Sequence, residues 1–245
     1  MKHFLLLLGI VLMVSGQAWA QRTFILSTLR HKTFASVTAS SGRPTVSPFG
    51  KNTQNFLGKG QSLQVSVGHR LGWHWGIVGS YMYSTNPIRK NDVQNDLLRL
   101  VRVNVEQSAP WQSTATNCTL QSAMVGPMFT LQAGRFVFDI QATAGYAQGT
   151  SSDMEFNAQY QQEAISYTTP ARTILAPAAG AGIAIRYKIF RWLALHGSAQ
   201  YVTADLRYDN LYQEVKVGRQ SSLELIRPHQ PVGLLNVGGG LSFLF

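Results

Sequence analysis

His196-Gly197-Ser198 sets an imidazole and a hydroxyl two residues apart, which puts both on one face of an extended strand. In that arrangement an imidazole can draw the proton from a hydroxyl and make it a nucleophile. No acidic residue is evidently placed to orient the ring, and Gln200 extends the same polar face. The pair is therefore assigned to packing inside the fold rather than to catalysis. Arg70, His74, Asp139 and Arg186 fall on polar faces of the same kind. A buried charge is costly unless paired, so these four and His196 are expected to form one hydrogen-bonded interior network. Asp153, Glu155 and Glu163 could suggest a cation site, but their spacing matches no EF-hand loop, and a solvated loop is the simpler reading. Cys118 stands alone and is read as a small strand residue. The glycines at 180, 182 and 238–240 sit in strand-like runs rather than in a phosphate-binding loop. No metal or cofactor is implied.

The elements that must carry these residues show themselves by period-two alternation. Phe136, Phe138, Ile140, Ala142, Ala144 and Tyr146 share one parity, opposite Val137, Asp139, Gln141, Thr143, Gly145 and Ala147. A membrane strand needs about 9–11 residues with one apolar face, and this run supplies them with aromatics at both ends. Six further segments repeat the pattern, near 63–71, 73–84, 116–131, 173–188, 192–206 and 232–245. Tight connections fall at Leu71-Gly72, Ala133-Gly134 and Phe190-Arg191. Between those hairpins lie polar stretches at about 87–115, 149–172 and 209–230. Short turns at one end and long loops at the other are the layout of bacterial outer-membrane barrels, whose strand number is even. The eighth strand is expected within Arg22–Ser40, its apolar face interrupted by Arg30, His31 and Lys32, with a first long loop at about 41–60.

The ends agree with export. Lys2 and His3 precede an apolar run from Phe4 to Val14, and Ala18-Trp19-Ala20 offers small residues at both cleavage-site positions. Residues 1–20 thus read as a secretory signal cleaved before Gln21, and 21–245 as the barrel domain. The apolar run is too short for a spanning helix, which takes about 20 residues. Nothing after Gln21 is long and apolar enough either, so a membrane protein of this sequence must be a closed barrel. Only 13% of residues are charged, against about a quarter in soluble domains. The formal charge is nevertheless +10. With no nucleic-acid motif in view, lipopolysaccharide phosphates are the simpler anionic partner for that field, beside the outer-membrane lipids themselves.

Two stretches resemble known families. The final run Gly238-Gly239-Gly240-Leu241-Ser242-Phe243-Leu244-Phe245 is similar to the C-terminal signal of outer-membrane barrels, with Gly240, Phe243 and Phe245 in the patterned places. Gly238 replaces the polar residue usual at its start. The resemblance implies recognition by the barrel-assembly machinery. Gly182-Ile183-Ala184-Ile185-Arg186-Tyr187 and Trp192-Leu193-Ala194-Leu195, joined by a short turn, resemble a hairpin of the OmpA/OmpX-like barrels. His196 and Ser198 are similar to part of the His-x-Ser-Asn motif of lipid A deacylases, but Ala199 holds the Asn position. His196 also lies near the turn end of its strand, away from the outer leaflet. The implied fold is an all-β, antiparallel up-and-down barrel of eight strands in a gram-negative outer membrane. The expected role is non-enzymatic, displaying loops for envelope integrity, surface interaction or adhesion to an envelope or extracellular protein partner. The rivals are an accessory subunit of an envelope complex, a narrow pore and a lipid A-modifying enzyme.

Overall fold

The computed structural model describes residues 32–45, 57–93, 112–160, 163–207, 211–217, 220–226 and 229–245. The expected signal segment and its cleavage point at Ala18, Ala20 and Gln21 lie outside the described residues. Eight strands close into an antiparallel barrel: β1 (Thr33–Thr45), β2 (Gly60–Arg70), β3 (Trp75–Asn86), β5 (Cys118–Ala133), β6 (Phe136–Thr150), β9 (Thr173–Lys188), β10 (Leu193–Arg207) and β13 (His229–Leu244). Each pairs with its neighbours in sequence order, and β13 closes on β1. This is an up-and-down barrel of eight strands.

The register fixes its shape. Stepping across paired residues from Ala35 through Val67, Gly79, Val125, Ala144, Ala179, Thr203 and Gly233 returns to β1 at Thr45, ten residues beyond the start. That stagger over eight strands corresponds to a strand tilt of about 40°. β5, β9 and β13 each run 16 residues. At that tilt they rise about 40 Å, well beyond the roughly 25 Å apolar band of such barrels. The strands therefore stand clear of the membrane at the loop end.

Alternation sends one parity outward. Val65, Ile77, Tyr81, Val125, Phe138, Ile140, Ile183, Ile185, Leu235 and Val237 are all exposed on the barrel wall. An unbroken apolar belt of that size belongs in lipid rather than in water. The other parity fills the interior in three layers. Phe34, Val78, Met128, Ala194 and Leu244 pack at the short-turn end. Met82, Leu120, Met124, Val202, Leu206 and Leu234 pack toward the loop end. Polar side chains lie between these apolar layers, so the lumen is filled, as eight strands require. Gly134 makes the tightest turn, with φ at 60°, where a residue bearing a Cβ would be strained.

Two expectations about the elements change. β1 starts at Thr33 and continues through Arg43 and Pro44 to Thr45, inside the stretch read as the first long loop. Its lipid face is built from Ala35, Val37 and Ala39, so its apolar signal is faint. Register on both sides nevertheless fixes it, with Gly42 opposite both Gly60 and Asn236. The other three long connections are not simple loops. β4 (Gln112–Ala115), β7 (Met154–Tyr160), β8 (Glu163–Thr169), β11 (Leu211–Val217) and β12 (Gln220–Ile226) form a second sheet, ordered β12-β11-β8-β7-β4.

Candidate functional site

The interior network is built from strands far apart in sequence. Asp139 on β6 is 4% exposed and Arg186 on β9 is 4% exposed. Arg186 Nη2 donates to Asp139 Oδ2, and Thr130 Oγ1 on β5 donates to Asp139 Oδ1 at 2.7 Å. The Arg186 guanidinium also lies over the Phe34 ring, 3.7 Å from its centroid. Ring face and carboxylate together replace the water the cation gives up on burial.

His196 belongs to the same layer but is held by hydroxyls. Its Nε2 is 2.6 Å from Thr38 Oγ1, and its Nδ1 is 3.0 Å from Ser242 Oγ. A hydroxyl can donate or accept, so a neutral imidazole is satisfied in either tautomer. Both ring nitrogens are thus engaged away from Ser198, and the His-x-Ser pair is not arranged as base and nucleophile. Ser198 lines a cavity of about 30 Å³ with Gln141, Arg186 and Gln200. That volume has room for roughly two waters.

Arg70 stays within electrostatic reach of Asp139, whereas His74 parts company with this cluster. Arg70 is half-buried at the short-turn mouth of the lumen, where Nη1 donates to Gln132 Oε1 at 3.4 Å. His74 is exposed in the turn between β2 and β3, with Nδ1 3.2 Å from the Thr130 carbonyl oxygen and its ring 5.6 Å from Phe129. The expectation that His74 points into the lumen is corrected: β3 begins one residue later, so alternation does not govern it. Thr38, Thr130, Ser242 and Phe34 were not singled out from the sequence. Their signal was inward parity alone, which many Ser and Thr share.

At the chain's other patterned site, Phe243 and Phe245 are exposed on the lipid side. Phe243 stacks on Trp192, centroids 6.2 Å apart, and Trp192 stacks in turn on Phe190 at 6.0 Å. Phe245 N–H donates to the Thr33 carbonyl at 2.8 Å, closing the barrel seam. Gly240 faces inward at that seam, where a Cβ would run into the Val37 backbone of β1. Close strand approach, rather than a kink, accounts for this glycine.

The second sheet has two unlike faces. Phe156 on β7 is buried with Val93, and Ile88, Met154 and Tyr167 pack against them; Ile165 on β8 is buried as well. Helical residues at 90–93 bring Val93 to this apolar side. On the other face, register sets Gln112, Asn157, Ser166 and Lys216 in one row and Thr114, Glu155, Thr168 and Glu214 in the next. Asn157 Nδ2 donates to Glu155 Oε1 at 2.8 Å, and Lys216 pairs with Glu214 at 3.0 Å. Asp153 is exposed beside this sheet, and no group of three His, Cys, Asp or Glu gathers among the described residues.

Charge is divided unequally between the ends. Among the described residues the short-turn end carries Lys32, Arg70, Arg135, Arg186, Lys188 and Arg191 against Asp139 alone. The loop end carries Arg43, Lys59, Arg89, Lys90, Arg172, Arg207 and Lys216 against Asp92, Asp153, Glu155, Glu163, Asp205, Glu214 and Glu224. Several of the latter are paired, as in Arg207–Asp205 at 2.9 Å and Arg89–Asp92 at 3.8 Å.

No protein-family model matches the sequence, and no curated protein matches it. Solved structures do resemble the fold. The attachment invasion locus protein Ail of Yersinia pestis is 14% identical, with 87% of this chain and 99% of that one covered at a TM-score of 0.41. Neisserial surface protein A is 12% identical, covering 87% and 97% at 0.47. The outer membrane protease OmpT of Escherichia coli is 6% identical, covering 87% and 97% at 0.46. All three scores lie below one half, and nothing about this chain is argued from them. What the chain's own strand pairing shows is a closed, antiparallel barrel of eight strands.

Proposed function

We propose that this chain is a non-enzymatic integral protein of the gram-negative outer membrane whose second sheet is a rigid platform for binding a partner at the cell surface. The observation that carries this reading is the folding of three separate connections into one sheet with its own small core. Free loops lose conformational entropy on binding, and a preformed surface avoids most of that loss. The polar rows around Asn157, Glu155, Ser166 and Lys216 give the platform a face open to hydrogen bonding. The apolar layers that close the lumen at both ends argue for a scaffold rather than a pore. The engagement of both His196 nitrogens argues against a lipid-modifying centre there. Contact with lipopolysaccharide fits the same location, and assembly by the barrel machinery follows from the terminal pattern.

The test is to express the full chain, and a variant in which residues 152–171 and 209–228 are replaced by short turns, at equal outer-membrane levels. The full chain should confer adherence to host-cell or matrix surfaces and the shortened barrel should not. Equal adherence by both would remove the platform from the account. Adherence by neither, with loss of envelope resistance to detergent only in the shortened form, would shift the role to envelope integrity.

A further inference from the structure

The short-turn rim is cationic where it should meet lipid headgroups. Lys32, Arg135 and Arg191 are exposed there. Arg135 precedes Phe136, and Arg191 sits between Phe190 and Trp192, all three aromatics being exposed. With Trp73 and Trp75 these rings make the aromatic girdle that places this end at the membrane interface. Arg135 and Arg191 are therefore held at headgroup depth by their own neighbours in sequence, and Lys32 stands just before β1 at the same end. Arg70 and Lys188 add positive charge at the adjacent lumen mouth, both half-buried. Among the described residues at this end the single carboxylate side chain is that of Asp139, which lies inside the lumen and is taken up by Arg186. Among the described residues the loop end, by contrast, sets seven acidic residues against seven basic ones.

We infer that this rim binds the phosphate headgroups of anionic phospholipids in the leaflet facing the periplasm, and that Lys32, Arg135 and Arg191 are the contacts. The chemistry is that of any basic patch at a membrane surface. Phosphate accepts from ammonium and guanidinium donors while the acyl chains lie along the apolar belt. Interleaved aromatics fix the depth of Arg135 and Arg191, so these two meet a headgroup without a conformational search. This inference needs the transmembrane barrel but not the surface platform, and it survives if the platform binds nothing.

The experiment uses the full folded chain in detergent, with phosphatidylglycerol or phosphatidylcholine added in equal amounts and bound lipid read by native mass spectrometry. Two triple variants are compared, each removing three positive charges. One is Lys32→Gln, Arg135→Gln and Arg191→Gln at the rim; the other is Arg43→Gln, Lys59→Gln and Arg172→Gln at the loop end. Heat-modifiable gel mobility checks that both are folded. The unaltered chain should prefer phosphatidylglycerol. The rim variant should lose about fivefold in apparent affinity per cation, the equivalent of about 1 kcal/mol each. The loop-end variant should keep the preference. No preference in the unaltered chain, or equal losses in both variants, overturns the inference. So does a chain without lipid preference whose rim cations are needed instead to retain isolated peptidoglycan.

Discussion

Arg186 and Asp139 form an ion pair inside the barrel, their side chains 5% and 4% exposed. They stand on neighbouring strands, where register puts Asp139 opposite Ala184 and Arg186 opposite Val137, so the two side chains meet diagonally. Removing one member of such a pair strands the other charge away from water. Asp139→Ala should therefore cost about 3–5 kcal/mol of stability. The double change Asp139→Leu with Arg186→Met should cost clearly less than the two single changes added together. Urea unfolding of the reconstituted protein reads both. Additive losses would mean that the two groups are not coupled.

The two parities of the wall should differ in their tolerance of charge. Arg introduced at Ile140, Ile185 or Leu235, all exposed on the lipid side, should cost about 2–4 kcal/mol near the midplane. Gln141→Asn and Ser198→Thr, on the cavity side, should change stability by less than about 1 kcal/mol. Unfolding titrations in lipid vesicles decide, and equal sensitivity on both sides would mean a one-residue slip of register.

His196 is expected to matter for packing and not for chemistry. His196→Ala opens the layer that Thr38 and Ser242 complete, and leaves two buried hydroxyls without their partner. We expect a loss of about 1–3 kcal/mol. Lipid A isolated from cells carrying His196→Ala or Ser198→Ala should have the same mass spectrum as lipid A from cells carrying the unaltered chain. A missing acyl chain that returns only with the unaltered protein would restore the enzymatic reading.

Most of the barrel was legible before the structure because lipid imposes a strict pattern. From Phe138 to Ala144 apolar residues alternate with Asp139, Gln141 and Thr143, and the three turns fall where small and aromatic residues break the period. β1 was blurred because Ala35 and Ala39 occupy lipid-facing places, so its outward parity barely differs from the inward Ser36 and Thr38. The second sheet was hidden for a different reason. β7 and β8 are short and polar on one face, as strands in water are, and that polarity reads as loop. The interior network was legible only by parity. Thr38 and His196 lie 158 residues apart, and nothing local pairs them. His74 was misplaced because alternation was carried one residue past the start of a strand.

Phe243 and Phe245 should act in assembly more than in stability. Each ring is exposed at the rim, so deleting Phe245 removes little buried area from the folded barrel. Outer-membrane levels should nevertheless fall, and should fall further when Phe243→Ala is added. Stability of the protein that does insert should change by less than about 1 kcal/mol. Quantitative immunoblots of membrane fractions give the answer; normal levels of the double variant would remove the assembly role from these residues.

In the orientation proposed above, the barrel holds its second sheet outside the cell and its cationic rim inside the envelope. Labelling of single cysteines by a membrane-impermeant maleimide on intact cells tests it most directly, in a Cys118→Ser background. Asn157→Cys and Lys216→Cys, on the polar face of the sheet, should label on intact cells. Arg135→Cys and Arg191→Cys should label only after the outer membrane is permeabilised, and Ile140→Cys should resist in both states. Labelling of Arg135→Cys on intact cells, or protection of Asn157→Cys, would contradict the orientation on which the whole account depends.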